Sequence, residues 1–141
     1  MPLTVKEKIA RKIRASKDNA FVRKEFENLG GYRQVSRALA DLVQEGKLVR
    51  AGQGIWARAK EIYIPGLMDA PKATAVTDVM TVAMEALPKL GYVVRYGSKI
   101  EDNKMRKSTQ VPYAPMVKIE GGRTARKIRV NEISVVYEKN Q

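Results

Sequence analysis

The sequence predicts an α+β fold built from two unlike halves, and three observations carry that expectation. The first is residues 31–58, GYRQVSRALADLVQEGKLVRAGQGIWAR. Val35, Ala38, Leu39, Leu42 and Val43 recur at the spacing of a helix with one buried face. Gly46 stands where such a helix needs a left-handed terminating residue. Residues 47–50 then alternate, 51–54 supply turn chemistry, and 55–58 return as a second strand. The second observation is charge: 27 Lys+Arg against 15 Asp+Glu, a net +12. Residues 1–60 hold 14 of those cations and 6 of the acids, so the excess concentrates there. The third is a later apolar helical stripe followed by short strands with tight turns. Together they predict an N-terminal winged helix-turn-helix (1–60), a connector (61–76) and a small C-terminal helix plus antiparallel β-meander (77–141).

Taken in order, Thr4-Val5-Lys6-Glu7 has capping-box spacing and opens a helix to about Ala15, with Val5, Ile9 and Ile13 on one side. Its basic remainder, Lys6, Lys8, Arg11, Lys12 and Arg14, reads either as solvated surface or as phosphate contact. Lys17-Asp18-Asn19 breaks the pattern, and Ala20-Phe21-Val22 is a short strand expected to pair with the wing. Residues 23–28 form a short helix burying Phe26. Gly30-Gly31 is the helix-turn-helix turn, with positive φ expected where the chain changes direction. Trp56 alternates with Ile55, so only one of the two is expected to face the core. Trp56 therefore packs on the domain or sits in a partner interface, where Trp is favoured.

Prolines 65 and 71 mark the connector, in which residues 62–64 can add an extended piece. A helix begins near Thr77, an N-cap with Asp78 in its first turn, and buries Val79, Val82, Ala83, Ala86, Leu87 and Leu90. Pro88 should bend it or make its last turn irregular, and Gly91 ends it. Residues 92–94 read as a strand and 97–107 as a polar, exposed loop. Residues 116–119 and 125–130 flank a Gly121-Gly122 turn; Asn131-Glu132 then leads to a strand over 133–137.

Several function classes are disfavoured by what the composition lacks. The chain contains no cysteine and no histidine, which removes disulfides, thiol nucleophiles, imidazole bases and ordinary zinc sites. No catalytic constellation, metal site or cofactor motif is visible, so an enzyme is not expected. Gly121-Gly122-Arg123-Thr124 lacks Walker spacing and reads as a turn rather than a phosphate loop. Glu101-Asp102 has no apolar enclosure and reads as solvated. No apolar run is long enough to span a bilayer and no signal peptide is visible, so a cytoplasmic location without a membrane partner is expected. A +12 chain calls for a polyanion, nucleic acid first.

The 21–23 segment, the Val35…Ala38-Leu39 helix, Gly46-Lys47-Leu48-Val49-Arg50 and Gly52-Gln53-Gly54-Ile55-Trp56-Ala57 resemble the N-terminal winged helix of AbiEi-type antitoxins of type IV toxin–antitoxin systems. Residues 86–91, Ser108-Thr109-Gln110-Val111-Pro112 and the Lys127-Ile128 strand are similar to a compact bacterial family grouped with them. In the AbiEi-type antitoxins the wing tip usually carries a basic residue between its glycines; here Gln53 replaces it. The resemblance implies a repressor half that binds inverted repeats in its own promoter. It also implies a C-terminal half that neutralises or senses a nucleotidyltransferase-like toxin.

The expected function is thus a sequence-specific, double-stranded-DNA-binding transcription regulator, an autorepressing antitoxin. The alternatives are direct masking of a toxin protein and a basic RNA-binding protein. Tyr32, Arg33, Gln34, Ser36 and Arg37 stand near the start of the recognition helix, where such proteins contact bases. Lys8, Arg11, Lys12, Lys47, Arg50, Gln53 and Arg58 are the candidate backbone and wing contacts. A homodimer is expected on DNA, through residues 62–64 or the C-terminal half.

Overall fold

The structure, a computed structural model, describes residues 3–97, 115–120 and 125–138. It is a mixed α+β protein whose strands pair mostly antiparallel. The expected polar loop beyond Gly97, with Glu101 and Asp102, the 108–112 stretch and the Gly121-Gly122 turn all lie outside the described residues.

Helix α1 spans Val5–Ala15, and Thr4 caps it by accepting from the Glu7 amide at 3.1 Å. Strand β1 (Ala20–Val22) leads into a 3-10 helix, Arg23–Leu29, and then into α2, Tyr32–Gln44. The turn between the last two corrects one expectation. Gly30 has φ 173°, which is extended backbone, and Gly31 has φ −67°. Space, rather than backbone freedom, makes Gly30 a glycine, because a Cβ there would lie 2.6 Å from Val5 Cγ2. At the other end of α2, Gly46 does take the left-handed conformation, φ 78°. The Gly46 amide then bonds to the Val43 carbonyl and the Lys47 amide to Leu42, which satisfies carbonyls the helix leaves open. A helix this short is marginal alone; burial of Val35, Ala38, Leu39 and Leu42 holds it, whereas Val43 is only half-buried.

Strands β2 (Leu48–Gly52) and β3 (Ile55–Ile62) form the hairpin, and β1 pairs with β3 in the register Ala20–Ala57, Phe21–Trp56, Val22–Ile55. This sheet has apolar layers on both faces. Phe21, Leu48 and Trp56 pack under α1 and α2 with Ile9, Ile13 and Phe26. Ala20, Val22, Ala51, Ile55 and Ala57 pack with the C-terminal half. Hence both Ile55 and Trp56 are buried, contrary to the one-or-other expectation from their alternation.

The expected connector is more structured than its prolines suggest. Residues 61–62 complete β3, and Lys72–Ala75 return as β4, antiparallel to it. Helix α3 spans Val79–Lys89 and is capped by Asp78, one residue later than expected. Its last turn tightens at Pro88, where the Leu90 amide bonds to both the Ala86 and Leu87 carbonyls. Along its buried face Met80 joins the expected stripe, while Leu90 is half-buried. Two side chains of α3 cover the free edge of β1. Glu85 accepts from the Asn19 and Ala20 amides at 2.9 and 3.0 Å. Lys89 donates to the Ala20 carbonyl at 2.8 Å and pairs with Asp18 and Glu25 at 2.9 and 3.0 Å.

The antiparallel meander is corrected. Strand β5 (Val94–Tyr96) lies two residues beyond the expected segment and pairs antiparallel with β6, Met116–Ile119. On its other side β6 pairs in parallel with β9, Val136–Tyr137. Strands β7 (Arg129–Val130) and β8 (Ile133–Ser134) form a separate small hairpin. Asn131 and Glu132 turn it with φ 50° and 69°, the mirror-image turn that suits the twist of a two-residue hairpin. Asn131 Oδ1 accepts from Thr74 Oγ1 at 3.1 Å and from the Ala75 amide at 3.3 Å, so this hairpin is tied to β4.

Candidate nucleic-acid interface

The residues expected to touch nucleic acid do not form one surface. Helical spacing places Arg33 and Arg37 on the outer stripe of α2, opposite Val35 and Leu42, and both are exposed. Ala40 continues that stripe into a groove between α2 and the β2–β3 hairpin. Tyr32 and Ser36 line the same groove from α2, and Arg50 and Gln53 line it from the hairpin. Gln34 lies on the other flank of α2. Its Oε1 accepts from the Gly31 amide at 2.9 Å, so that oxygen serves the start of the helix.

Sequence reasoning missed Arg23, Lys24 and Arg126 in this groove, where the acid Glu27 also stands. Arg23 lies over the Tyr32 ring, 4.0 Å from its centroid, and Nη2 donates to the Tyr32 carbonyl at 2.9 Å and to Ser36 Oγ at 2.5 Å. Tyr32 is 76% exposed, so this guanidinium holds an aromatic ring out in water. Arg50 lies 6.0 Å from the Trp56 ring centroid, with Trp56 as apolar floor. Arg126 Nη1 donates to the Gln53 carbonyl at 2.7 Å. The Arg23 amide donates to the Gly54 carbonyl at 3.1 Å, so the hairpin tip is gripped from both sides.

The remaining candidates lie elsewhere. Arg11 and Lys47 line a second depression between α1 and the end of α2, together with Lys6 and Glu45. There Lys6 and Glu45 form an ion pair, and their mutual hydrogen bond raises the lysine pKa and lowers the carboxylate's. Lys47 stands 3.5 Å from the same carboxylate. Lys8 is exposed on α1, and Lys12 donates to the Glu25 carbonyl beside the Phe26 ring.

Arg58 is a structural residue and not the free phosphate ligand that the sequence suggested. Its Nη2 donates to the carbonyls of Ile13, Ser16 and Asp18 at 2.9, 3.0 and 2.8 Å, and Nε donates to Asn19 Oδ1 at 3.2 Å. Its guanidinium also lies over Phe21, 5.4 Å from the ring centroid. The open carbonyl end of α1 and the loop after it close around this one side chain.

No family model, curated protein or solved structure matches the chain. Among the described residues, no helix is long and apolar enough to cross a membrane. Exposed apolar side chains gather at the β3–β4 tip, where Tyr63, Ile64 and Leu67 are 52, 46 and 81% exposed.

Proposed function

We propose that the chain is a double-stranded-DNA-binding transcription regulator of winged helix-turn-helix type, with α2 as recognition helix and the β2–β3 hairpin as wing. The observation that carries this reading is the outward stripe of Arg33 and Arg37 beside a groove rimmed by Arg23, Lys24, Arg50 and Arg126. The order helix, strand, short helix, α2, hairpin supports it, as does the concentration of basic charge in residues 1–60. An arginine pair on a helix that enters the major groove discriminates bases by about 1–3 kcal/mol per bidentate contact.

The test is a gel-shift series on DNA from upstream of the protein's own gene, against scrambled duplex. Arg33→Ala and Arg37→Ala should each erase roughly ten- to hundredfold of the preference for the specific site. Equal selectivity in wild type and the double variant would refute the assignment of α2. Occupation of a two-fold site by two copies extends the proposal, with Tyr63, Ile64 and Leu67 as the apolar contact. Sedimentation on that DNA reads the stoichiometry. Service as an autorepressing antitoxin is the further part of the proposal that rests on the sequence resemblance, and co-expression with the neighbouring gene product tests it.

A further inference from the structure

We infer that residues 126–129 of the C-terminal half form a second phosphate-binding track, through which the hairpin side of the protein grips the backbone of a nucleic-acid duplex. The inference rests on the DNA-binding reading above and extends its footprint to a part of the chain expected only to neutralise, sense or dimerise. The segment alternates. Ile128 and Val130 are buried, whereas Lys127 and Arg129 are exposed, so this extended run into β7 leaves two cations, two residues apart, open to water. Arg126 precedes them at the hairpin tip, with one guanidinium nitrogen on the Gln53 carbonyl and four further N–H donors on a fork suited to phosphate.

The segment is held against the hairpin closely enough to act with it. A Cβ on Gly52 would fall 2.4 Å from the Lys127 carbonyl oxygen, so only glycine admits this approach. Tyr137 donates its hydroxyl to the Arg126 carbonyl, and Asn131 ties the following turn to β4. Lys127, Arg129 and Arg50 border one shallow depression beside the hairpin, and Arg50 also lines the groove next to α2. Arg50 therefore joins the two surfaces into one basic band that runs from α2 across the hairpin to β7. The acid bordering the depression is Glu132, in the β7–β8 turn. A band of cations fixed on a rigid edge is the arrangement that neutralises successive phosphates without reading bases.

The experiment titrates a labelled mixed-sequence duplex of about 30 base pairs, longer than a single helix-turn-helix site, at several salt concentrations. Lys127→Ala/Arg129→Ala, which leaves the Arg126–Gln53 contact in place, should flatten the slope of log affinity against log salt by about 2 and weaken binding roughly ten- to fiftyfold near 0.1 M salt. Gly52→Ala removes no charge yet displaces the segment, and should reproduce most of that loss. Circular dichroism melts confirm that each variant is folded. Wild-type binding with an unchanged slope in the double variant would overturn this inference alone and leave these cations to an acidic protein. Absence of any duplex binding by the wild type would overturn the DNA-binding reading and this inference with it.

Discussion

Arg58→Ala separates a structural cation from a nucleic-acid contact. The guanidinium uses its Nε–H and the two N–H bonds of Nη2 on three backbone carbonyls and the Asn19 side chain. A hydrogen bond from a charged donor contributes about 1.5–3 kcal/mol when dry, and less when half-buried as here. About 1 kcal/mol for each N–H group gives a loss of about 3 kcal/mol. In a domain of this size that corresponds to a fall of about 10 °C in Tm. Urea unfolding followed by circular dichroism measures the loss directly. Arg58→Lys should recover less than half of it, because a lysine cannot span three carbonyls and the Phe21 face at once. The salt dependence of duplex binding by folded protein should not change. An unaltered urea midpoint together with a salt slope flattened by about 1 would refute the reasoning and return Arg58 to the phosphate contacts.

Gly30→Ala should cost about 1–2 kcal/mol through its clash with Val5, and Val5→Ala in the same chain should recover part of that in the same urea assay. Glu132→Gly relieves a left-handed residue, φ 69°, and should raise stability by about 0.5–1 kcal/mol in chemical denaturation. Burial, with the neighbouring Tyr92, pushes the Tyr137 hydroxyl up to about 12. Burial pulls the Lys89 amine down, but its bonds to Asp18 and Glu25 prevail and hold it above the ordinary value. Both groups are raised above their unfolded values, so their contribution is complete below pH 10 and declines as pH climbs from there towards about 12. Tyr137→Phe should make that alkaline decline shallower in a pH series of urea midpoints; an identical decline would show that Tyr137 plays no part in it.

Local periodicity made α1, α2 and the β2–β3 hairpin legible, because each buries a single stripe or closes on its own turn residues. Val35, Leu39 and Leu42 announce α2 without help from the rest of the chain. The reading failed wherever a second layer or a distant segment decided the outcome. Ile55 and Trp56 are both buried because β3 has helices behind one face and the C-terminal half behind the other, and period-two alternation assumes one wet face. The partners of Arg58 lie some 40 residues earlier in the chain, and the carbonyl that the Arg126 guanidinium holds lies 73 residues away. No local pattern distinguishes such cations from solvated ones. The parallel pairing of β6 with β9 likewise arises from a crossover, whereas turn signals between short strands suggest simple reversal. In the candidate interface, Arg33 and Arg37 on α2 and Arg50 on the hairpin were legible, and Arg23, Lys24 and Arg126 were not.

A boundary at residue 60 would cut through a strand, since β3 runs from Ile55 to Ile62. The two-faced sheet also decides how the chain can be divided. A fragment ending there keeps the layer under α1 and α2 but bares Ala20, Val22, Ile55 and Ala57 to water, along with the β1 edge that Glu85 and Lys89 cover. The complementary piece from 61 onwards loses the surface on which Ala75, Val79, Val82, Ala83 and Ala86 pack. Each fragment would carry an exposed apolar sheet face or helix face and an open strand edge, the features that drive association into aggregates. Truncation is therefore the wrong tool for asking which half does what. Point substitutions in the full chain keep the shared wall intact and leave each half answerable separately.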